Sequence, residues 1–287
     1  SRAIRSSISW KADAAAPGLV GLAWRGLPGL VKTALARTRS HAWAAWGWLV
    51  FSLLAPLTWV MVLLLPGRAL RFGFCRLMTR TLALLTGTSL AVNGLERLPR
   101  QPCVLVANHA SYLDGMVLIA ALPGSLVFVA KGSLASQRVA GSLLRRLGAE
   151  FVERFDPRRG LADLKRITGA GRDGGTLVFF PEGTFSPIPG LRRFHMGAFV
   201  TAMEARLPLV PVAISGTRGI LRSGSWYPRR GAIGISVGEA IPPPAVGDDP
   251  GDNWRAALRM HQQARDHILT HCGEPDLAAD GQCDISG

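Results

Sequence analysis

Val106-Ala-Asn-His-Ala-Ser-Tyr-Leu-Asp-Gly115 leaves an apolar run, Cys103–Ala107, and delivers Asn108, His109 and Asp114 into the loop and helix start that follow. A short Val-rich run ending in polar residues reads as a buried strand. The same texture returns at Leu126–Ala130, Thr176–Phe180, Leu209–Ile214 and Ala232–Val237. Between these runs, Leu134–Leu147, Arg158–Arg172 and His195–Arg206 read as helices, and Asn253–His271 reads as one more, with Asp252 as its cap. Strands alternating with helices predict an α/β fold, a mixed and mostly parallel sheet flanked by helices. Function is then expected at strand ends and in the loops after them.

His109 and Asp114 form a dyad if the turn between them folds back. The carboxylate orients the imidazole, whose other nitrogen can take a proton from a hydroxyl. A His near an Asp also serves as a simple capping pair, so the dyad gains weight from a second stretch, Thr176-Leu-Val-Phe-Phe-Pro-Glu-Gly-Thr184. There an apolar strand ends at Pro181 and exposes Glu182, Gly183 and Thr184. Gly183 lets backbone approach a ligand, and Glu182 and Thr184 can hydrogen-bond its polyol or phosphate part. Two such loops on parallel strands converge in space.

The chain has 287 residues and a formal net charge of +14. Residues 1–100 carry 13 basic side chains against Asp13 and Glu96, a net of +11, which leaves +3 for residues 101–287. At 48% apolar, with 33 glycines in no collagen period and only 4 cysteines, the composition excludes a disordered chain, a collagen and a disulfide scaffold. Cys75, Cys103, Cys272 and Cys283 have no metal-type spacing and receive no chemistry. A basic excess suits nucleic acid or an anionic membrane. The apolar run decides between them: Ala42 to Leu65 holds 24 residues without a charge, and about 20 cross a hydrocarbon core. The near-neutral balance after residue 100 argues against a basic groove, so no nucleic-acid partner is expected.

The apolar run starts too far along the chain for a secretory signal and lacks an Ala-x-Ala cleavage pattern, so it is read as retained. Trp43, Trp46 and Trp48 cluster at one end, where indoles favour the headgroup level, and Pro56 would kink a helix or turn it into a re-entrant hairpin. Basic residues flank both ends, which leaves a single span and a returning hairpin both open. Residues 68–86 interleave Arg68, Arg71, Arg76 and Arg80 with leucines and phenylalanines, the pattern of an interfacial helix contacting anionic membrane lipid. The expected organisation is a basic segment over 1–40, a membrane-associated helical segment over 41–87, the α/β domain over 88–271 and a flexible tail over 272–287. The basic pairs Arg145-Arg146, Arg158-Arg159 and Arg229-Arg230 read as solvated faces.

Four blocks in order along residues 88–240 resemble the glycerolipid acyltransferase family, typified by 1-acylglycerol-3-phosphate acyltransferase. They are Asn108-His109 with Asp114; Gly148, Phe151, Val152 and Arg154; Phe180 to Thr184; and Leu209 to Ile214 centred on Pro211. The resemblance implies His109 as general base with Asp114 as its orienting partner. It places Asn108, Lys131, Arg154, Glu182, Gly183 and Thr184 in substrate binding. It implies acyl transfer from acyl-CoA or an acyl carrier protein to a lysophospholipid hydroxyl, first of all 1-acyl-glycerol-3-phosphate to give phosphatidate. No cofactor, metal or covalent acyl-enzyme is called for. The expected setting is a bacterial-type inner membrane with the catalytic domain on the cytoplasmic side. One departure stands out: the family continues the third block with Arg, and here Phe185 follows, with Arg192 and Arg193 as the cations that could reach back. Phe185 keeps a non-phosphate acceptor such as a lyso-aminolipid open, and a non-catalytic lipid-binding protein of the same fold is the rival from another class.

Overall fold

The computed structural model describes residues 29–152, 166–171, 175–243 and 250–278. Helix α1 (Gly29–Leu64) and helix α2 (Arg68–Thr86) precede strand β1 (Ser89–Asn93) and strand β2 (Val104–Ala107). Helix α3 (Asp114–Ala121), β3 (Leu126–Lys131), α4 (Arg138–Leu147), β4 (Glu150–Val152) and β5 (Thr176–Phe179) follow. The chain then forms α5 (Gly197–Ala205), β6 (Leu209–Ser215), the short α6 (Thr217–Ile220), β7 (Ala232–Val237) and α7 (Pro250–Cys272).

The seven strands form one sheet in the order β1-β7-β6-β2-β5-β3-β4. Every neighbouring pair is parallel except β6 with β7. Alternation along the strands divides the core. Leu105 and Ala107 face a layer with Phe72 of α2, Leu118 of α3 and Ile235 of β7. Val104 and Val106 face the other layer, with Phe199 of α5 and Met260 and Ile268 of α7. Because both faces are covered, the central strands are uninterrupted apolar runs. Pro211 is compatible with β6 because it precedes the first rung with β7, which pairs Val212 with Val237. All five strands predicted from sequence form, within a residue of their expected ends. The edge strands β1 and β4 are additional.

Contacts divide the chain into Ser1–Ala42 and Trp43–Gly287, so most of the apolar run belongs to the same unit as the sheet. By length and composition, Thr33–Leu64 is long and apolar enough to cross a membrane. Pro56 lies inside the continuous α1, and the chain turns at Pro66-Gly67, where Gly67 has φ 69°. The hairpin is therefore made of α1 and α2 and not of the apolar run alone. The indoles of Trp43 and Trp46 donate to the Thr86 and Leu85 carbonyls at the end of α2, 2.9 Å each. Trp48 donates to the Trp226 carbonyl at 2.8 Å and Trp59 to Ser142 Oγ at 3.0 Å. The last-turn carbonyl of Leu63 accepts from Arg146 at 2.6 Å. From residue 43 onward one side of α1 is thus fastened to the domain.

The arginines of α2, expected at anionic lipid, each bond to backbone carbonyls of the domain. Arg76 donates to the carbonyls of Ile119, Leu122 and Gly124 at 3.1, 2.7 and 2.9 Å, and Arg80 to that of Ala120 at 2.9 Å. Arg68 reaches Leu126 O at 3.2 Å, and Arg71 reaches Leu65 O and Arg146 O at 2.8 Å each. Guanidinium groups suit the carbonyls left over at a helix end; Arg71 and Arg76 are half-buried in making these bonds, while Arg68 and Arg80 remain exposed. Exposed beside Arg68 and Arg80 is a row of leucines: Leu49, Leu53, Leu57, Leu64, Leu70, Leu77 and Leu84, the last 79% exposed.

Of the tail expected to be flexible over 272–287, residues 279–287 lie outside the described residues, and the first part is held in place. Residues 273–278 are fastened to Gly190 and Leu191: Leu191 N donates to Pro275 O at 2.7 Å, and Leu277 N to Leu191 O at 3.1 Å.

Candidate active site

β2, β5 and β3 are parallel, so Ala107, Phe179 and Lys131 end at one edge of the sheet, and the two motif loops leave from adjacent strands there. After β2 the backbone turns tightly enough that Asp114, the first residue of α3, folds back over its own loop. Its Oδ2 accepts from Ala110 N at 2.7 Å, Ser111 N at 2.8 Å and His109 Nδ1 at 2.8 Å. Asp114 is 0% exposed, and among the described residues its Oδ1 has no hydrogen-bond partner. The dyad foreseen from the five-residue spacing is therefore formed. A carboxylate on Nδ1 fixes the proton there and leaves Nε2 as the basic nitrogen of a side chain that is 19% exposed.

Aromatic rings hold the imidazole from the sides. Phe180 stacks on it, centroids 4.3 Å apart and planes 23° apart. Phe185 meets it edge-on at 4.5 Å and meets Tyr112 at 4.6 Å. Trp226 lies parallel to Tyr112 at 6.2 Å and is 73% exposed. Phe185, the residue that departs from the family pattern, thus forms an apolar wall beside His109. Tyr112 and Trp226 escaped the sequence reading, because single loop aromatics carry no periodic signal.

Tyr112 and Trp226 also line a cavity of about 310 Å³. Its other walls come from both helices of the hairpin, including Trp43, Gly47, Leu82 and Ala83, and from Met116 and Ala120 of α3. The cavity is almost wholly apolar, and Tyr112 and Leu113, from the loop that joins His109 to Asp114, form part of its wall.

Two residues expected to bind substrate are engaged elsewhere. Asn108 is buried, donating from Nδ2 to Ile214 O at 2.9 Å and accepting at Oδ1 from Ile214 N at 2.7 Å, so it joins the end of β2 to β6. Glu182, 4% exposed, accepts from His109 N at 2.7 Å on one oxygen and from Arg192 N at 3.0 Å on the other. Both are clamps on backbone that shape the site. Burial pushes the Glu182 carboxyl up to about 7, against the two amide hydrogen bonds that favour its ionised form. Gly183 adopts φ 82°, a left-handed conformation that carries the loop out of the strand. Thr184 is exposed, and its carbonyl accepts from Arg192 Nη1 at 3.4 Å, which places that cation at the third block. Lys131 ends β3, two strands from β2 and so about 10 Å away across the sheet. Arg154 lies outside the described residues. Arg218, which the sequence did not single out, is an enclosed cation bonded to Glu274 and to the Ser186 carbonyl, 2.6 Å each.

Residues 89–215 match the family model described as Acyltransferase. A 1-acyl-sn-glycerol-3-phosphate acyltransferase of Pseudomonas aeruginosa is 30% identical over 225 residues, which cover 76% of this chain and 81% of that protein. The chain belongs to the glycerolipid acyltransferase family. It is also similar to a chloroplastic 1-acyl-sn-glycerol-3-phosphate acyltransferase of Brassica napus, 38% identical over 136 residues. That match covers 47% of this chain and 39% of the plant protein, so the chain spans about two fifths of that relative's length. The lyso-ornithine lipid O-acyltransferase of Pseudomonas aeruginosa is 37% identical over 124 residues, 42% of this chain and 45% of that one. The fold is that of the crystal structure of the 1-acyl-sn-glycerophosphate acyltransferase PlsC from Thermotoga maritima, with TM-score 0.62 and 18% identity. That alignment covers 80% of this chain and 97% of the other.

Proposed function

We propose that the protein transfers a fatty acyl group from acyl-CoA or an acyl-loaded acyl carrier protein to the hydroxyl of a lysophospholipid, first of all 1-acylglycerol-3-phosphate. The observation that carries this reading is the His109–Asp114 dyad, flanked by Phe180 and Phe185 and linked to the apolar cavity through Tyr112, which touches Phe185 and lines the cavity. A cavity of about 310 Å³ is within the usual range of ligand pockets, about 300–1,000 Å³, and its walls suit a hydrocarbon chain. Nε2 of His109 takes the acceptor's hydroxyl proton as its oxygen attacks the thioester carbonyl. The tetrahedral intermediate then collapses, the C–S bond breaks, and the departing sulfur receives that proton as a thiol. The thioester itself carries the activation, so this scheme assigns no cofactor and no covalent acyl-enzyme.

Membrane association is part of the proposal. The uncovered leucines of α1 and α2 form an apolar face of the kind that marks an interaction surface, and the other side of α1 is held by the domain. The hairpin then lies along a bilayer, its leucines in the acyl region, and does not cross it over residues 43–64. A bacterial-type inner membrane, entered from the cytoplasmic side where acyl thioesters are made, fits this arrangement.

A second reading concerns the acceptor. Phe185 stands where the family has a cation and packs on His109 and Tyr112, and one similar protein is named for a lyso-ornithine lipid. A lyso-aminolipid acceptor is favoured by both. Incubating the full chain in vesicles with acyl-CoA or acyl carrier protein and a panel of lysolipids, with products identified by mass spectrometry, decides between acceptors. An acylated product lost in His109→Ala is expected. No product from any acceptor, or unchanged turnover in that variant, refutes the reading and leaves a lipid-binding protein.

A further inference from the structure

The segment after α7, Gly273–Ala278, runs beside the loop that follows the third block. Leu191 and Asp276 form a parallel bridge, closed by hydrogen bonds from Leu191 N to Pro275 O and from Leu277 N to Leu191 O. Glu274 is held on both oxygens: Oε1 accepts from Arg218 Nε at 2.6 Å, and Oε2 from Gly190 N at 2.6 Å. Arg218 passes the connection on, donating from Nη1 to Ser186 O at 2.6 Å. Asp276 is fixed in turn by a two-pronged pair with Arg265 of α7, at 2.9 and 2.5 Å. Gly190 sits at φ 139° with Leu277 packed so closely that an added Cβ would lie 2.3 Å from Leu277 Cγ. Loop and segment have complementary shapes, and the enclosed Arg218–Glu274 pair locks them together.

We infer that Gly273–Ala278 is a positioning strap for the acceptor side of the active site, with Glu274 and Leu277 as its positioning residues. The clasped loop, 186–191, lies between Phe185, which touches His109, and Arg192, whose backbone is bound by Glu182 and whose guanidinium lies at the Thr184 carbonyl. None of Thr184, Phe185 and Arg192 lines the apolar cavity. Loosening the strap therefore shifts the wall of Thr184, Phe185 and Arg192 that meets the acceptor and leaves the cavity that takes the acyl chain in place. The inference rests on the acyltransferase reading.

Glu274→Gln tests it. A carboxamide has one accepting oxygen, so either Arg218 Nε or Gly190 N meets an NH2 group and loses its partner. Leu277→Ala tests the shape component without changing charge, and Glu239→Gln, which breaks the exposed pair with Arg97, is the control. In Glu274→Gln the acceptor KM is expected to rise by roughly tenfold, the size of one lost charge-assisted hydrogen bond, and in Leu277→Ala it is expected to rise in the same direction, while donor KM and kcat stay within twofold in both. Amide hydrogen exchange is expected to quicken over 185–192 and not over α1. A lowered melting temperature with acceptor KM and loop exchange unchanged makes the strap a mere structural staple and overturns the inference. A parent protein that acylates the acceptor while the variants match it does the same. A parent protein inactive on every acceptor removes the reading on which the inference rests and the inference with it.

Discussion

Asp114→Asn separates what the Asp114 carboxylate does by shape from what it does by charge. Oδ2 accepts three hydrogen bonds, two from backbone N–H groups that have no freedom to turn away. An asparagine can point its carbonyl oxygen or its NH2 group at them. The NH2 orientation leaves Ala110 N and Ser111 N unpaired, at a cost of about 2–6 kcal/mol for the two. The carbonyl orientation keeps all three bonds and puts NH2 where Oδ1 stands. The backbone thus forces the side chain to keep accepting from His109 Nδ1, and the tautomer with a basic Nε2 survives. What is lost is charge. A hydrogen bond to a charged group is stronger than a neutral one by about 1–1.5 kcal/mol, so a fall in kcat on the order of tenfold is expected, rising toward a hundredfold if the imidazolium formed during attack is poorly solvated. His109→Ala, which removes the base, is expected to lose about 10²–10⁴. Initial rates of thiol release, checked by product mass, measure both, and nitrogen NMR of the imidazole reports the tautomer. An Asp114→Asn variant as inactive as His109→Ala, with its proton moved to Nε2, would refute the argument that the two backbone amides dictate the orientation.

Glu182 gives a pH signature. Its folded-state pKa of about 7 lies above the ordinary 4.5, so its contribution to stability is complete below about 4.5 and is lost as pH rises through 7. Glu182→Gln should lower stability overall and flatten the melting-temperature profile between those values; an unchanged slope contradicts the assignment. Gly47 faces the apolar cavity, and a Cβ there would meet only Pro228, at 4.0 Å. Gly47→Leu is therefore expected to fold and to shift kcat/KM toward shorter acyl donors, by about fourfold per methylene excluded; an unaltered chain-length profile would show that the acyl chain lies elsewhere. Arg76→Gln removes a cation from three carbonyls and should cost roughly 2–4 kcal/mol in thermal unfolding, while binding of the folded variant to anionic vesicles stays the same. A loss of vesicle binding without a loss of stability would return Arg76 to the lipid surface.

The buried centre of the sheet was legible because strands covered on both faces must be apolar throughout, as Val104–Ala107 and Leu209–Ser215 are. β1 and β4 were not, since an edge strand such as Ser89–Asn93 is only half covered and ends in polar residues. The dyad could be read because both partners lie within five residues and one turn. The same stretch marked Asn108 as significant, but its partner Ile214 is 106 positions away, and local sequence cannot show that an amide is occupied by another strand's backbone. Glu182 follows the same logic, with its two amide donors on separate loops. In α2 the interleaving of arginines and leucines was visible, while which set faces solvent depends on where the free carbonyls of α3 end. The strap at Gly273–Ala278 has no periodicity of its own, and its order comes from Leu191, Gly190 and Arg218, which no local pattern reveals.

The short helix α3 connects two of these features. Asp114 opens it, and Arg76 and Arg80 of the hairpin hold its far end. Eight residues span about 12 Å, so the helix behaves as a rigid strut with the leucine-faced hairpin at one end and the His109–Asp114 pair at the other. Trimming α1 and α2 to obtain a more soluble protein would therefore remove more than an anchor. It would leave the strut unsecured at its base and uncover the cavity wall, so a shortened protein could keep its sheet, bind lipid poorly and misplace Asp114 under His109. Reconstitution of the whole hairpin in detergent or nanodiscs is the preparation in which the chemistry should be measured.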